Sequence, residues 1–336
     1  MYKGSLIDMS ECIGIDVSKS KIDVCWLRDA HTLKIKTRVF RNTRKGYEEL
    51  VQWLLKNTQV PAEKHLITLE PTGVYHETLM YFLNQQGFVI FLANPGKAKA
   101  YGKSLGLLHK TDKSDAIMLA RFGHSQPSTV RLWQAEREEL RELKAMLRRL
   151  SALEADLQRE NNRNEMTQRA EASSRVLASQ RGMISVLDNE IKQLTNDIDQ
   201  HIDNYPDLKE DRRLLSSIKG IGEVMSRELV YLFAAKHFTS ARQVAAYLGV
   251  IPKLNKSGIH IGRTTLSKKG PARLRAKLYM AAIVAGNHNP DVMAQKQRLL
   301  DAGKTNMQAV GASMRKLLQI CYGVVHHQCE YQPRVG

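Results

Sequence analysis

Four carboxylates stand where chemistry would need them. Asp16 falls near the end of Glu11-Cys-Ile-Gly-Ile-Asp-Val17, Glu70 closes His65-Leu-Ile-Thr-Leu-Glu70, and Asp112 and Asp115 lie three residues apart in His109-Lys-Thr-Asp-Lys-Ser-Asp-Ala116. Asp16 and Glu70 are flanked by β-branched residues or leucine that read as interior, where an acid is costly unless something offsets its charge. The D-x-x-D spacing opens a stretch, Ala116-Ile-Met-Leu-Ala-Arg, that reads as helix, so Asp112 and Asp115 share one face. Four converging acids cannot all ionise without a counter-charge, because like charges a few ångströms apart raise each other's pKa. A pair of Mg2+ or Mn2+ ions answers this: both take oxygen ligands, and two such ions clamp the attacking and leaving oxygens of phosphoryl transfer. Singly, each acid has an ordinary explanation: Asp112 as a helix cap, Asp115 on the helix dipole, Asp16 closing a turn, Glu70 as a solvated strand end. Jointly they form the arrangement that metal-dependent nucleases and resolvases use.

The elements that must position these acids follow from periodicity. Residues 11–17 and 21–27 alternate apolar and polar around the short break Val17-Ser-Lys-Ser-Lys21 and read as a β-hairpin, with a third strand over 34–40. A helix over 46–56, a buried strand over 65–70, a helix over 75–86 and a strand over 88–92 then alternate. Three strands in meander followed by alternating helices and strands predict an α/β domain of RNase H-like outline. Beyond it, no proline occurs between Pro127 and Pro206, and Gly182 is the only glycine there, so the stretch can be continuously helical. Leu140, Leu143, Leu147 and Leu150, then Ile184, Leu187, Ile191, Leu194 and Ile198, recur at three- and four-residue steps, the seam of a helical hairpin or coiled coil. The expected organisation is therefore residues 1–127 as the acid-bearing domain, 128–205 as a helical linker, 206–326 as a mostly helical carboxy-terminal domain, and 327–336 as a tail.

Composition narrows the partner. The 336 residues suffice for about two domains, and 43% apolar with 25% charged residues is ordinary for a globular protein, against both wholesale disorder and membrane embedding. Lysine plus arginine exceed aspartate plus glutamate by 51 to 34, a net charge of +17 that points to a polyanion, nucleic acid before an anionic membrane. The three segments to Pro127, to Tyr205 and to the end carry net charges of +6, −2 and +13, so the excess sits in the last third. Four cysteines without a CxxC pair, and no leader-like or membrane-spanning stretch, predict a cytoplasmic protein.

That last third offers a phosphate-binding surface. Lys253, Lys256, Arg263, Lys268, Lys269, Arg273, Arg275 and Lys277 follow one another with no intervening acid. Upstream, Leu214-Leu-Ser-Ser-Ile-Lys-Gly-Ile-Gly-Glu-Val224 reads either as a helix-hairpin-helix element, with Gly220 and Gly222 letting backbone amides approach a phosphate chain, or as a tight helix–helix corner.

Together Ile15-Asp16-Val-Ser-Lys19, Leu69-Glu70-Pro-Thr-Gly73-Val-Tyr75, Lys110-Thr-Asp112-Lys-Ser-Asp115-Ala, Gly220-Ile-Gly222 and Lys256-Ser257-Gly258 resemble the DEDD transposases of the bacterial insertion-sequence family numbered one hundred and ten. The resemblance runs in order from about residue 11 to about residue 325. It implies a recombinase with a RuvC-like amino-terminal domain, a coiled-coil arm and a carboxy-terminal transposase domain, guided by a bridge RNA and acting at the bacterial nucleoid. By matched position, Asp16, Glu70, Asp112 and Asp115 would hold magnesium and Ser257 would join covalently to DNA. Dimers, assembling to tetramers, would pair donor with target DNA.

A serine hydroxyl is a poor nucleophile unless a base or metal activates it. Lys253, Lys256 and Arg263 are near Ser257 in sequence and would offset charge developing on a phosphate under attack. Ser-Gly is also a common turn, and Ser267 is a rival on spacing, although it falls where a helix cap is expected. The alternative activity is a metal-dependent, structure-selective endonuclease in which water attacks; a third reading is a non-catalytic nucleic-acid-binding protein. Gly96-Lys-Ala-Lys-Ala-Tyr-Gly102-Lys103-Ser104 looks like a Walker loop but has one residue too many between its glycines, so Lys97, Lys99 and Lys103 are read as backbone-contacting or solvated lysines. Cys321, His326, His327 and Cys329 fit no standard zinc spacing and are read as structural.

Overall fold

The computed structural model describes residues 9–71, 73–106, 111–127, 130–170, 173–253, 256–257, 260–261 and 264–334. These residues divide into two units, Met1–Ala135 and Glu136–Gly336.

In the first unit β1 (Glu11–Val17), β2 (Lys21–Asp29) and β3 (Lys34–Arg41) form an antiparallel meander. β4 (His65–Leu69) and β5 (Val89–Leu92) add in parallel beyond β1, giving the order β3-β2-β1-β4-β5. The period of two decides which face each residue takes. Ile13, Ile15, Val17, Ile22 and Val24 face α1 (Arg44–Thr58) and α2 (Glu77–Gln85), packing with Leu50, Leu54, Leu79 and Leu83. On the opposite face Cys12, Cys25 and Leu27 meet Ala116 and Ala120 of a further helix, Asp112–His124. With helices on both sides, β4 is buried at all five positions, as a central parallel strand should be. This mixed sheet is consistent with an RNase H-like fold.

Between β5 and Asp112 the chain forms α3 (Pro95–Ser104). The glycine-spaced segment from Gly96 to Ser104 is thus helix and not a phosphate-binding loop. Asn94 starts it, its Oδ1 accepting from the Lys97 amide at 3.1 Å, with Pro95 at the first helical position. The next helix, α4 (Asp112–His124), lies directly on β1 and β4 because two glycines allow it. A Cβ on Gly14 would collide with the Ala116 carbonyl and the Ala120 amide, and one on Gly123 with the Thr68 hydroxyl.

The second unit begins with α5 (Glu138–Arg169) and α6 (Ser174–Asp203), two long helices folded back on each other. His201 Nε2 lies 2.9 Å from the Glu139 carbonyl, and Gln180 donates to Thr167 Oγ1 at 3.0 Å, fixing them antiparallel. The seam expected from sequence is apolar and shielded, but much of it serves a larger core. Leu140, Leu143, Leu147 and Leu150 share one cluster with Leu214, Leu229, Leu278 and Leu317. No described residue of α5 beyond Leu153, or of α6 before Leu187, is buried, so the outer part of the hairpin stands clear of that core.

The remaining elements are α7 (Pro206–Ser216), α8 (Glu223–Ala235), α9 (Ala241–Tyr247), short strands β6 (Pro252–Lys253), β7 (Lys256–Ser257), β8 (His260–Ile261) and β9 (Thr265–Leu266), then α10 (Ala272–His288), α11 (Pro290–Asp301) and α12 (Asn306–His327). β6 pairs with β9, and β7 with β8, both antiparallel. Among the described residues no helix is long and apolar enough to cross a membrane.

Candidate active site

The acids are brought together by three adjacent structural decisions. Ile15 of β1 pairs with Leu69 of β4 in parallel register, so Asp16 and Glu70 occupy successive positions at the same ends of neighbouring strands. Thr111 then fixes where α4 begins: its Oγ1 accepts from the Ser114 amide at 3.1 Å while its own amide donates to Ser114 Oγ at 2.8 Å. Thr111, and not Asp112, is therefore the cap. Asp112 and Asp115 occupy the first turn of α4, where the helix dipole favours anions, and the helix rests on β1 through Gly14.

The electrostatics record this gathering. Asp16 is half-buried, and its carboxyl is pushed up from 3.8 to about 6, first by burial and then by the charges of Asp115, Asp112, Asp23 and Glu70. The three other acids singled out in the sequence thus all act on Asp16, and a further one, Asp23, joins them. Asp23 sits directly opposite Asp16 across the β1–β2 pair and is 7% exposed. Like charges directly opposite each other destabilise a sheet, so this pairing is costly as it stands. Lys21 supplies a counter-charge: its Nζ lies 2.8 Å from Asp112 Oδ2 and 3.0 Å from Asp23 Oδ2. Those two carboxylates hold its ammonium above the ordinary lysine range.

Sequence reasoning missed both Lys21 and Asp23. The signal was available. Ser18 and Lys21 close the hairpin, the Ser18 amide donating to the Lys21 carbonyl at 2.9 Å, and this turn dictates the Asp16–Asp23 register. Asn42 is a further missed residue. Its Nδ2 donates to the carbonyls of Ser18 at 2.7 Å and Tyr75 at 3.3 Å, tying the turn after Asp16 to the loop after Glu70.

Among the described residues, no three His, Cys, Asp or Glu side chains stand close enough to hold a metal ion as they are. The donor set nonetheless fits one: it is all carboxylate oxygen, the ligand type of Mg2+ or Mn2+, and it carries the surplus negative charge that raises Asp16.

The basic residues divide by direction. Lys97, Lys99 and Lys103 are exposed on α3, and Lys253, Lys268 and Lys269 are exposed in the second unit. Arg273 and Arg275, expected on a phosphate-binding surface, both have partners within the protein, although the Arg273 side chain remains 38% exposed. Arg273 pairs with buried Glu228, and Arg275 donates to the Leu248 carbonyl at 3.2 Å. Lys277 also goes to Glu228, at 3.0 Å. Gly220, with φ +103°, lies against Ala285 of α10, where a side chain would collide, whereas a Cβ on Gly222 would meet nothing. The backbones of Lys256 and Ser257 pair with Ile261 and His260, while Gly258 and Arg263 lie outside the described residues. Ser267 is no helix cap: Pro271 precedes α10, and the Ser267 hydroxyl is buried without a partner.

A mixed sheet of this order, flanked by helices, is consistent with the RNase H-like class of fold. The chain belongs to the IS110 family of transposases: the DEDD transposase pattern of that family matches residues 13–167, and the transposase IS116/IS110/IS902 family pattern matches residues 212–297. It is 33% identical over 326 residues to the pilin gene-inverting proteins of Moraxella bovis and Moraxella lacunata, covering 96% of this chain and 98% of each of theirs. It is also 24% identical over 230 residues to the insertion element IS900 uncharacterized 42 kDa protein of Mycobacterium paratuberculosis, covering 66% of this chain and 55% of that one. The protein is therefore a transposase-family DNA recombinase.

Proposed function

We propose that this recombinase is guided by a bridge RNA and cuts and rejoins DNA using Asp16, Glu70, Asp112 and Asp115 together with Ser257 as nucleophile. The observation that carries the reading is the action of Glu70, Asp112 and Asp115 on the Asp16 carboxyl, the last two brought to the sheet by α4 seated on Gly14. Asp16, Glu70, Asp112 and Asp115 would hold Mg2+ or Mn2+, which when bound neutralises phosphate oxygens and polarises the phosphorus for attack. Ser257 Oγ would attack a DNA phosphodiester, forming a phosphoserine bond as the deoxyribose oxygen leaves. Because one phosphodiester replaces another, strands rejoin without ATP. Lys253, Lys256 and Arg263, close to the serine in sequence, would meet the charge of the pentavalent phosphate.

Residues 1–127 would then serve as the RuvC-like domain, 128–205 as a coiled-coil oligomerisation arm, 206–326 as the transposase domain and 327–336 as a tail. The chain would act in the bacterial cytoplasm, as dimers that assemble to a tetramer on donor and target DNA. Two of the similar proteins are named for inverting a pilin gene, which supports inversion or insertion of a DNA segment as the outcome here. The charge of +17 gives the chain capacity for RNA as well as DNA.

The deciding experiment uses labelled element-end DNA and the RNA that copurifies with the protein, resolved on a denaturing gel. Protein-bound DNA should appear with the wild type, vanish with Ser257→Ala, and vanish with Asp16→Asn. Free ends without any protein-bound DNA would replace the serine mechanism by hydrolysis.

A further inference from the structure

We propose that the Lys21 ammonium, bridging Asp112 and the sheet carboxylate Asp23, stands in for a divalent cation at Asp112, and that metal binding requires it to release Asp112. The inference rests on the reading that Asp16, Glu70, Asp112 and Asp115 hold the ion.

The geometry makes Lys21 a competitor, not a bystander. Its Nζ bridges Asp112 of the first turn of α4, at 2.8 Å, and Asp23 of β2, at 3.0 Å. It is therefore a cation that links helix to sheet, joining Asp112 to Asp23. Hairpin parity gives it this place: Lys21 and Asp23 lie two apart on β2 and share a face, and Asp23 stands opposite Asp16. The two partners differ in freedom. The Asp23 side chain is 9% exposed and stays put, whereas those of Asp112 and Lys21 are 50% and 44% exposed. Breaking the Asp112 contact therefore moves two solvated groups, while Asp23 keeps the lysine tethered beside the site.

A single positive charge shared between two carboxylates is a weaker partner than a dication that several carboxylates reach. Lys21 thus suits a resting state: it offsets part of the acid repulsion that would otherwise strain the metal-free fold, yet yields to the ion. Its effect on catalysis passes through Asp112, which makes it a positioning residue.

The test is calorimetric titration of the full chain with Mn2+. Lys21→Met, or Lys21→Gln if the first folds poorly, should bind Mn2+ about tenfold more tightly than wild type, the scale of one lost competing ion-pair cluster. Lys21→Arg keeps the charge and should bind no more tightly than wild type. Lys34→Met, which removes an equal charge at the far end of the β2–β3 pair, should match wild type. Binding by Lys21→Met or Lys21→Gln alone, with wild type and Lys21→Arg too weak to detect, would equally support the proposal. Unchanged or weaker Mn2+ binding in Lys21→Met, with wild-type binding abolished by Glu70→Gln, overturns the role of Lys21 and leaves the metal site standing. An equal gain in Lys34→Met reduces the effect to net charge and overturns it too. Absence of Mn2+ binding in every form overturns the metal reading and this inference with it.

Discussion

Replacing Asp16 with asparagine should stabilise the metal-free protein at neutral pH while abolishing recombination. The folded chain raises the Asp16 carboxyl from 3.8 to about 6, so folding takes up a proton across that interval. The sign follows from linkage: below pH 4 the carboxyl is protonated in both states and costs nothing, and as pH rises through 6 the folded state must ionise a half-buried acid among four others, so stability falls. A shift of about two units corresponds to about 3 kcal/mol at most. Solvent still reaches this carboxylate, and halving for that screening leaves about 1–2 kcal/mol. Asparagine keeps the shape without the charge. Urea unfolding in EDTA at pH 4, 5, 6, 7 and 8 should show wild type and Asp16→Asn similar at pH 4 and diverging to about 1–2 kcal/mol in favour of the variant at pH 8. Mn2+ should then narrow or reverse the gap by stabilising only the wild type. A variant less stable than wild type at pH 8 in EDTA, or a difference that does not change with pH, would refute the claim that the acids repel one another in the folded chain.

Two further outcomes follow from the packing and from the direction of the cations. Gly14→Ala should lower stability by about 1–3 kcal/mol in urea unfolding and remove recombination activity, because the added methyl drives α4, with Asp112 and Asp115, off β1; Gly182→Ala, whose Cβ on α6 would meet nothing, should do neither. Lys268→Gln and Lys269→Gln should each reduce the slope of log affinity against log salt for duplex DNA by about 0.9, the value for one phosphate contact, whereas Arg275→Gln should leave the slope unchanged. Equal slopes for all three variants would show that side-chain direction in the folded chain does not govern which cations meet the DNA.

Much of the acid-bearing unit was legible because its signals are local. Period-two alternation marked β1 and β2, and a short apolar run marked β4, within a residue or two, and the D-x-x-D pair fell where a helix had to start. The errors arose where the deciding contact is remote in sequence. A run of positive residues shows charge but not direction, and Arg273 and Lys277 turn inward toward Glu228, which lies in α8 some 45 residues earlier. Gly96 and Gly102 resemble a Walker loop only until their spacing is counted, and Asn94 and Pro95 make an efficient helix start whose α3 absorbs both glycines. Lys21 and Asp23 went unnoticed because each looks like the polar half of an amphipathic strand until the turn register places Asp23 opposite Asp16.

The same register explains why the site needs so little dedicated machinery. A two-residue hairpin loop, a parallel neighbour and a helix seated on a glycine are ordinary devices, and each fixes only one or two acids. Their coincidence at one end of the sheet is what brings the charges of four further carboxylates onto Asp16, with Lys21 bridging two of them. Such an arrangement is repulsive by itself, and hydrophobic burial elsewhere must offset it: Ile13, Ile15, Ile67 and Leu69, in the same two strands as or next to the acids, are fully buried. The apolar residues that flank Asp16 and Glu70 therefore do more than mark a strand. They anchor the chain firmly enough for a charge cluster to persist at its edge, which is the condition for an acid to remain poised for an ion that is not always there.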